Sequence, residues 1–214
     1  MRKAFLFLLL LLPAMAMAQS LAQRGASIEA IVPEGWEHSE EFGDMNKDGL
    51  KDLVVIAIPN FKENMKERED GYVYNLNRPH LAIYFGDSSG DFVLFKKYEE
   101  LIPERDENMI VETSLNINDK GILRIGVSIF MIAGGATTGG PTYVFRYQDG
   151  DFFLIGKDDT ELSRYSGETT DTSENYLTHK RKVTTGNAFE EQKEKVKWSN
   201  LPKEPLKRLG EFEM

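Results

Sequence analysis

Cysteine is absent from the 214 residues. No disulfide, thiol nucleophile or cysteine-ligated metal can therefore exist in this chain. Histidine is scarce: His38, His80 and His179 are the only three. None stands at H-x-x-x-H spacing, which argues against a zinc centre. Neither a G-x-S-x-G elbow nor a phosphate-binding P-loop occurs. Positive charge is in the minority, with 26 Lys and Arg against 35 Asp and Glu, for a net of −9. That balance argues against a general binder of nucleic acid or anionic lipid and suits divalent cations. Beyond the first residues no apolar run is long enough to span a bilayer, so no membrane span is expected in the remaining chain.

The chain opens MRKAFLFLLLLLPAMAMAQS. Arg2 and Lys3 precede an uninterrupted apolar stretch, residues 4–12, and then the small-residue pattern Ala16-Met17-Ala18. This is the layout of a secretory signal, with cleavage expected after Ala18. The apolar run is about half of the ~20 residues a membrane helix needs. No cysteine follows it to accept a lipid. The expectation is a periplasmic or secreted protein with one β domain, residues 19–214. An exported domain without disulfides needs a substantial apolar core, a bound metal, or both.

The rest of the chain reads as β-hairpins. Strands are expected near residues 36–42, 53–58 (within DLVVIAI), 80–85 (HLAIYF) and 92–98 (FVLFKKY), the last two joined by GDSSGD. They make a four-stranded meander within about residues 34–98. Residues 110–117, 122–132, 142–147 and 152–157 make a second, within about 109–158, with NDKG and QDGD at its turns. Weaker strands are expected in ENYLTHKRKVT and VKWSNL, within about residues 174–200. AGGATTGG, with Gly134, Gly135, Gly139 and Gly140, reads as a long connection between strands. No helical periodicity exceeds three turns. The fold class expected is mainly β, built of antiparallel four-stranded meanders in a partial propeller-like or packed two-sheet arrangement.

Between the first two strands lies FGDMNKDGLKDLVVIAIP. Counting Asp44 as position 1 places Asn46 at 3, Asp48 at 5, Gly49 at 6, Leu50 at 7 and Asp52 at 9. Side-chain oxygens at alternating positions can converge on one hard cation, the glycine permits the sharp turn, and the Leu50 carbonyl adds another oxygen. Calcium takes six to eight such ligands. An EF-hand would place a glutamate at position 12 between two helices; Val55 stands there instead, and a strand follows. All side-chain ligands come from one short loop without histidine, which is the pattern of a structural clamp and not of a catalytic metal with an open position.

This loop resembles the calcium loop of FG-GAP and integrin-type propeller repeats, D-x-N-x-D-G-x-x-D-L followed by a strand. The resemblance implies Asp44, Asn46, Asp48 and Asp52 as ligands together with the Leu50 carbonyl. A broader resemblance, carried by TYVFRYQDGDFFLIG and YLTHKRKVTTG, is to a group of uncharacterised secreted proteins from Bacteroidetes-type bacteria; it implies location and architecture and no activity. Acidic doublets such as Asp158-Asp159 point to opposite faces of a strand and cannot themselves form a glycosidase pair. Trp36 and Trp198 suit either a core or a sugar platform. The reading is an exported, monomeric, calcium-binding β protein, without catalysis of its own, whose partner is a glycan or an envelope protein. The alternative is a glycan-directed hydrolase with carboxylates drawn from separate strands.

Overall fold

The computed structural model describes residues 20–132 and 134–214; the expected leader, residues 1–18, lies outside them. The first half contains β1 (Arg24–Gly25), a one-turn helix α1 (Ile28–Ile31), β2 (Glu37–Gly43), β3 (Asp52–Ile58), a small hairpin of β4 (Met65–Glu67) and β5 (Val73–Asn75), β6 (His80–Gly86) and β7 (Phe92–Tyr98). They form a sheet in the order β1-β7-β6-β3-β2, with β4 and β5 paired separately. The expected meander is therefore present, widened by the short β1.

Strand β3 explains its own sequence. Leu53, Val55 and Ala57 point to one side, against Leu21, Ile31, Val32, Trp36 and Tyr84. Val54 and Ile56 point to the other, where they join Leu81 and Ile83 of β6 in the core between the sheets. A strand covered on both faces has no reason to alternate apolar with polar residues, which is why DLVVIAI is a continuous run. The N-terminal segment covers the outer face, pinned by the Tyr84 hydroxyl, which donates to the Ala22 carbonyl at 2.9 Å. Burial pushes that hydroxyl up to about 12.

The second half is a single meander of seven strands: β8 (Met109–Ile117), β9 (Ile122–Met131), β10 (Thr137–Gln148), β11 (Asp151–Ser163), β12 (Glu168–Asn175), β13 (Lys180–Asn187) and β14 (Lys195–Asn200). Each pairs antiparallel with the next, and the sheet curls into half a barrel. Leu123, Ile125, Val127, Phe145, Phe152 and Leu154 of this sheet close the core against β3 and β6. The architecture is two packed antiparallel sheets. Among the described residues no helix is long and apolar enough to cross a membrane.

Two expectations are revised, and one strand carries no sequence signal: the polar stretch ETTDTSEN is strand β12. ENYLTHKRKVT is not one strand: Asn175 Oδ1 accepts the N–H groups of Leu177 (3.1 Å) and Thr178 (2.9 Å), which turns the chain before β13 begins. Part of AGGATTGG belongs to β10, where Gly139 and Gly140 pair with Glu161 and Thr160. A Cβ on Gly139 would lie 1.9 Å from the Thr160 carbonyl oxygen, and one on Gly140 would lie 2.2 Å from that of Val127. These glycines let three strand backbones crowd together.

Residues 201–214 return across the second sheet. The Leu154 N–H donates to the Lys207 carbonyl and the Leu209 N–H to the Phe152 carbonyl, both at 2.8 Å. Leu209 is buried in the core, and Phe212 packs against Tyr143 and Phe145.

Candidate functional site

The acidic loop joins β2 to β3, whose ladder ends at the pair Gly43 and Asp52. Its bend places Lys47 and Gly49 in left-handed backbone, at φ of 65° and 85°. The side chains close it in steps of two to five residues. Asp44 accepts the N–H of Lys47 on Oδ1 at 2.7 Å and of Gly49 on Oδ2 at 3.2 Å. Asn46 Oδ1 accepts the Asp48 N–H at 3.0 Å, and Asp48 Oδ1 accepts the Leu50 N–H at 2.8 Å. The Asn46 amide nitrogen donates to Asp48 Oδ2 at 2.9 Å. The Met45 side chain points the other way, into the core between the sheets.

Asp52 differs from the other four positions. It is fully buried, and three backbone N–H groups converge on it: Met45 (2.7 Å) and Asn46 (3.4 Å) on Oδ2, Gly86 (3.1 Å) on Oδ1. Burial pushes its carboxyl up; the N–H groups of Met45, Gly86 and Asn46 pull it back, and the charge of Asp48 adds to the rise. Asp52 thus ties both ends of the loop to each other and to the end of β6. Asp44 and Asn46 are half-buried, while Asp48 and Leu50 face solvent.

Two lysines lie within the loop, and neither turns inward. Lys47 Nζ donates to the Asp119 carbonyl at 3.1 Å, in the turn between β8 and β9. The Lys51 ammonium sits 4.2 Å from the centre of the Phe42 ring. The carboxylates of Asp44 and Asp48 are thus satisfied by N–H groups and are not neutralised by the loop's own cations. Among the described residues no three His, Cys, Asp or Glu side chains form a ready metal cluster. The reason is local: Asp52, the carboxylate of this loop that could join Asp44 and Asp48, is turned to the backbone donors of Met45, Asn46 and Gly86.

The other residues considered from sequence do not assemble. His38 lies beside Glu40 on β2, His80 packs edge-on to Trp36 at 5.6 Å, and His179 sits in the turn between β12 and β13. Asp158 pairs with Arg124 and Asp159 with Lys157, on opposite faces of β11. Trp36 is core, whereas Trp198 is exposed on β14.

Sequence reasoning missed a row across the curled sheet. Tyr143, Lys157, Glu174 and Arg181 are successive ladder partners on β10, β11, β12 and β13. Glu174 accepts from the Tyr176 hydroxyl at 2.6 Å and from Arg181 Nε at 2.7 Å. Burial works to raise its carboxyl, and these two donors outweigh it and hold the group low. A cavity of about 400 Å³ opens between the Tyr143–Lys157 end of this row and the returning tail, with Tyr176, Leu201 and Phe212 also in its walls. Only the recognition of β12 as a strand would have brought these residues together.

No protein-family model, curated protein or solved structure matches the chain. The FG-GAP resemblance therefore rests on the loop residues alone.

Proposed function

We propose that this chain is an exported calcium-binding β protein whose metal is structural and whose work is binding, not catalysis. Asp44, Asn46, Asp48 and the Leu50 carbonyl supply the ligands, and Asp52 fixes the loop that presents them. The observation that carries this reading is the outward course of Lys47 and Lys51, which leaves two carboxylates and an amide on one tight loop without a cation. Like charges on one short loop repel, and a hard divalent ion that takes oxygen ligands relieves that repulsion. The ion would hold together a corner where the first sheet meets the β8–β9 turn. The partner expected is a glycan or an envelope protein.

Calcium titration by calorimetry, with melting curves in calcium and in EDTA, tests the metal. A ligand that binds only the folded state stabilises it by about 2.7 kcal/mol at a hundredfold excess over Kd. Calcium should raise the melting temperature, and Asp48→Ala should remove the rise. No heat of binding together with identical melting curves would overturn the assignment.

A further inference from the structure

A second pocket lies away from the acidic loop, between the β4–β5 hairpin, the connection that leads into β8, and the end of β9. It encloses about 380 Å³, within the range of small-ligand sites. Its walls include Tyr72, Tyr74, Arg105, Asp106, Ile110 and Ile132. Three of these are large apolar side chains left open to solvent: Tyr72 is 59%, Ile132 50% and Ile110 43% exposed. Exposed apolar groups gathered at one concavity mark a contact surface more often than scattered ones do.

The cations around this pocket are unequal. Arg68 is paired with Asp70 and also donates to the Tyr74 hydroxyl at 3.1 Å; Asp70 is held down to about 2 by that pairing. Lys66 is paired with Glu107 at 2.6 Å. Among the described residues the arginines in ion pairs are Arg24, Arg68, Arg78, Arg124 and Arg181. Arg105 is outside that set, and its Nη1 is buried without a hydrogen-bond partner. Its neighbour Asp106 also lines the pocket; its Oδ1 accepts the Asn108 N–H at 2.6 Å, and among the described residues no ion pair joins it to Arg105. A guanidinium carries five donors in a planar fork that matches a carboxylate, and a buried donor of that fork left unpartnered is costly.

We propose that this pocket binds a small organic carboxylate, its flat or apolar body against Tyr72, Ile110 and Ile132 and its carboxylate on the Arg105 guanidinium. Two sources carry that chemistry: an aromatic acid and a uronic acid of an acidic glycan. Tyr72 and Tyr74 meet edge to face at 4.9 Å, which leaves the exposed Tyr72 ring as a stacking surface for either. The proposal rests on the reading of the chain as a binding module and is independent of the calcium loop.

The test is saturation-transfer NMR with phenylacetate, glucuronate and the neutral phenylacetamide, run in calcium and again in EDTA. One of the two acids should bind, and it identifies the source. Phenylacetate, if it is the ligand, should bind about tenfold tighter than its amide, the scale of a charge-assisted pair. Arg105→Met should abolish acid binding or level it with the amide, and Tyr72→Ala should weaken the acid while leaving the melting temperature unchanged. Should Arg105→Met fail to fold, Ile110→Glu decides, because a carboxylate at that exposed wall should expel the acid. Absence of binding by both acids at about 10 mM, or binding indifferent to these substitutions, overturns the proposal. Acid binding that persists in EDTA separates this site from the fate of the calcium assignment.

Discussion

Gly121 is seated directly against Asp44: a Cβ on Gly121 would fall 2.5 Å from the Asp44 carbonyl oxygen and 2.9 Å from the Lys47 Cε. The acidic loop and the β8–β9 turn thus press together with no room for a side chain between them. The contact joins the two sheets at a point where Lys47 also reaches across to the Asp119 carbonyl.

Gly121→Ala should therefore destabilise the fold through two separate effects. The residue has φ of 69°, a left-handed backbone that strains an alanine, and the added methyl meets backbone atoms that have little freedom to yield. The expected loss is about 1–3 kcal/mol, read from chemical denaturation. Calcium affinity should fall with it, because the displaced residue is the first of the proposed ligands. Equal stability of variant and parent would show that the two sheets are not locked at this corner.

Asp52→Asn separates the structural role of this residue from metal binding. An asparagine keeps one carbonyl oxygen and places an NH2 group among the N–H donors of Met45, Asn46 and Gly86. A buried donor left unsatisfied costs about 1–3 kcal/mol. Unfolding in EDTA should already show the loss, before calcium is considered. A variant as stable as the parent in EDTA would mean that these three contacts do not hold the loop.

How much of this was legible in the chain depends on where the partners lie. The β2–β3 loop and β3 are local features: an Asn/Asp/Gly turn and an apolar run of six residues, 53–58, announce themselves. The Asp52 carboxylate does not, because its partner Gly86 stands 34 residues away and Asp52 reads equally well as a ligand. Strand β12 has no apolar alternation to betray it. Its residues are Glu, Thr, Asp, Ser and Asn on a solvent-washed part of the curled sheet, held by backbone ladders to β11 and β13. The Lys47–Asp119 contact spans 72 positions and leaves no trace in spacing.

His80 predicts a pH dependence. Burial lowers its pKa below the usual 6.5, with Glu99 opposing and Lys97 adding to the shift. The folded state therefore holds His80 neutral where the unfolded chain would take up a proton. The unfolded state binds more protons, so stability rises with pH in that window. The contribution is complete above about pH 6.5 and is lost as the pH falls through the folded value. Melting temperature should drop between pH 7.5 and 5.5, and His80→Gln should flatten part of that slope. A slope identical in the variant would assign the pH dependence to other groups.

The returning tail offers a last test, since its role was invisible in the sequence. Leu209 is only 1% exposed, and the backbone at Leu209 and at Lys207 before it is tied to β11 through the Leu209–Phe152 and Leu154–Lys207 hydrogen bonds. If the tail were a loosely attached extension, truncating Leu209 would matter little, because a surface change usually stays within about 0.5 kcal/mol. As part of the core, Leu209→Ala should cost about 2–5 kcal/mol. The backbone bonds give the second readout. In amide hydrogen exchange the Leu154 and Leu209 N–H groups should lose protection together in the variant, while those of β3 keep theirs relative to global unfolding. Independent opening of the two amides would show that the tail docks in pieces and does not close the sheet as a single strap.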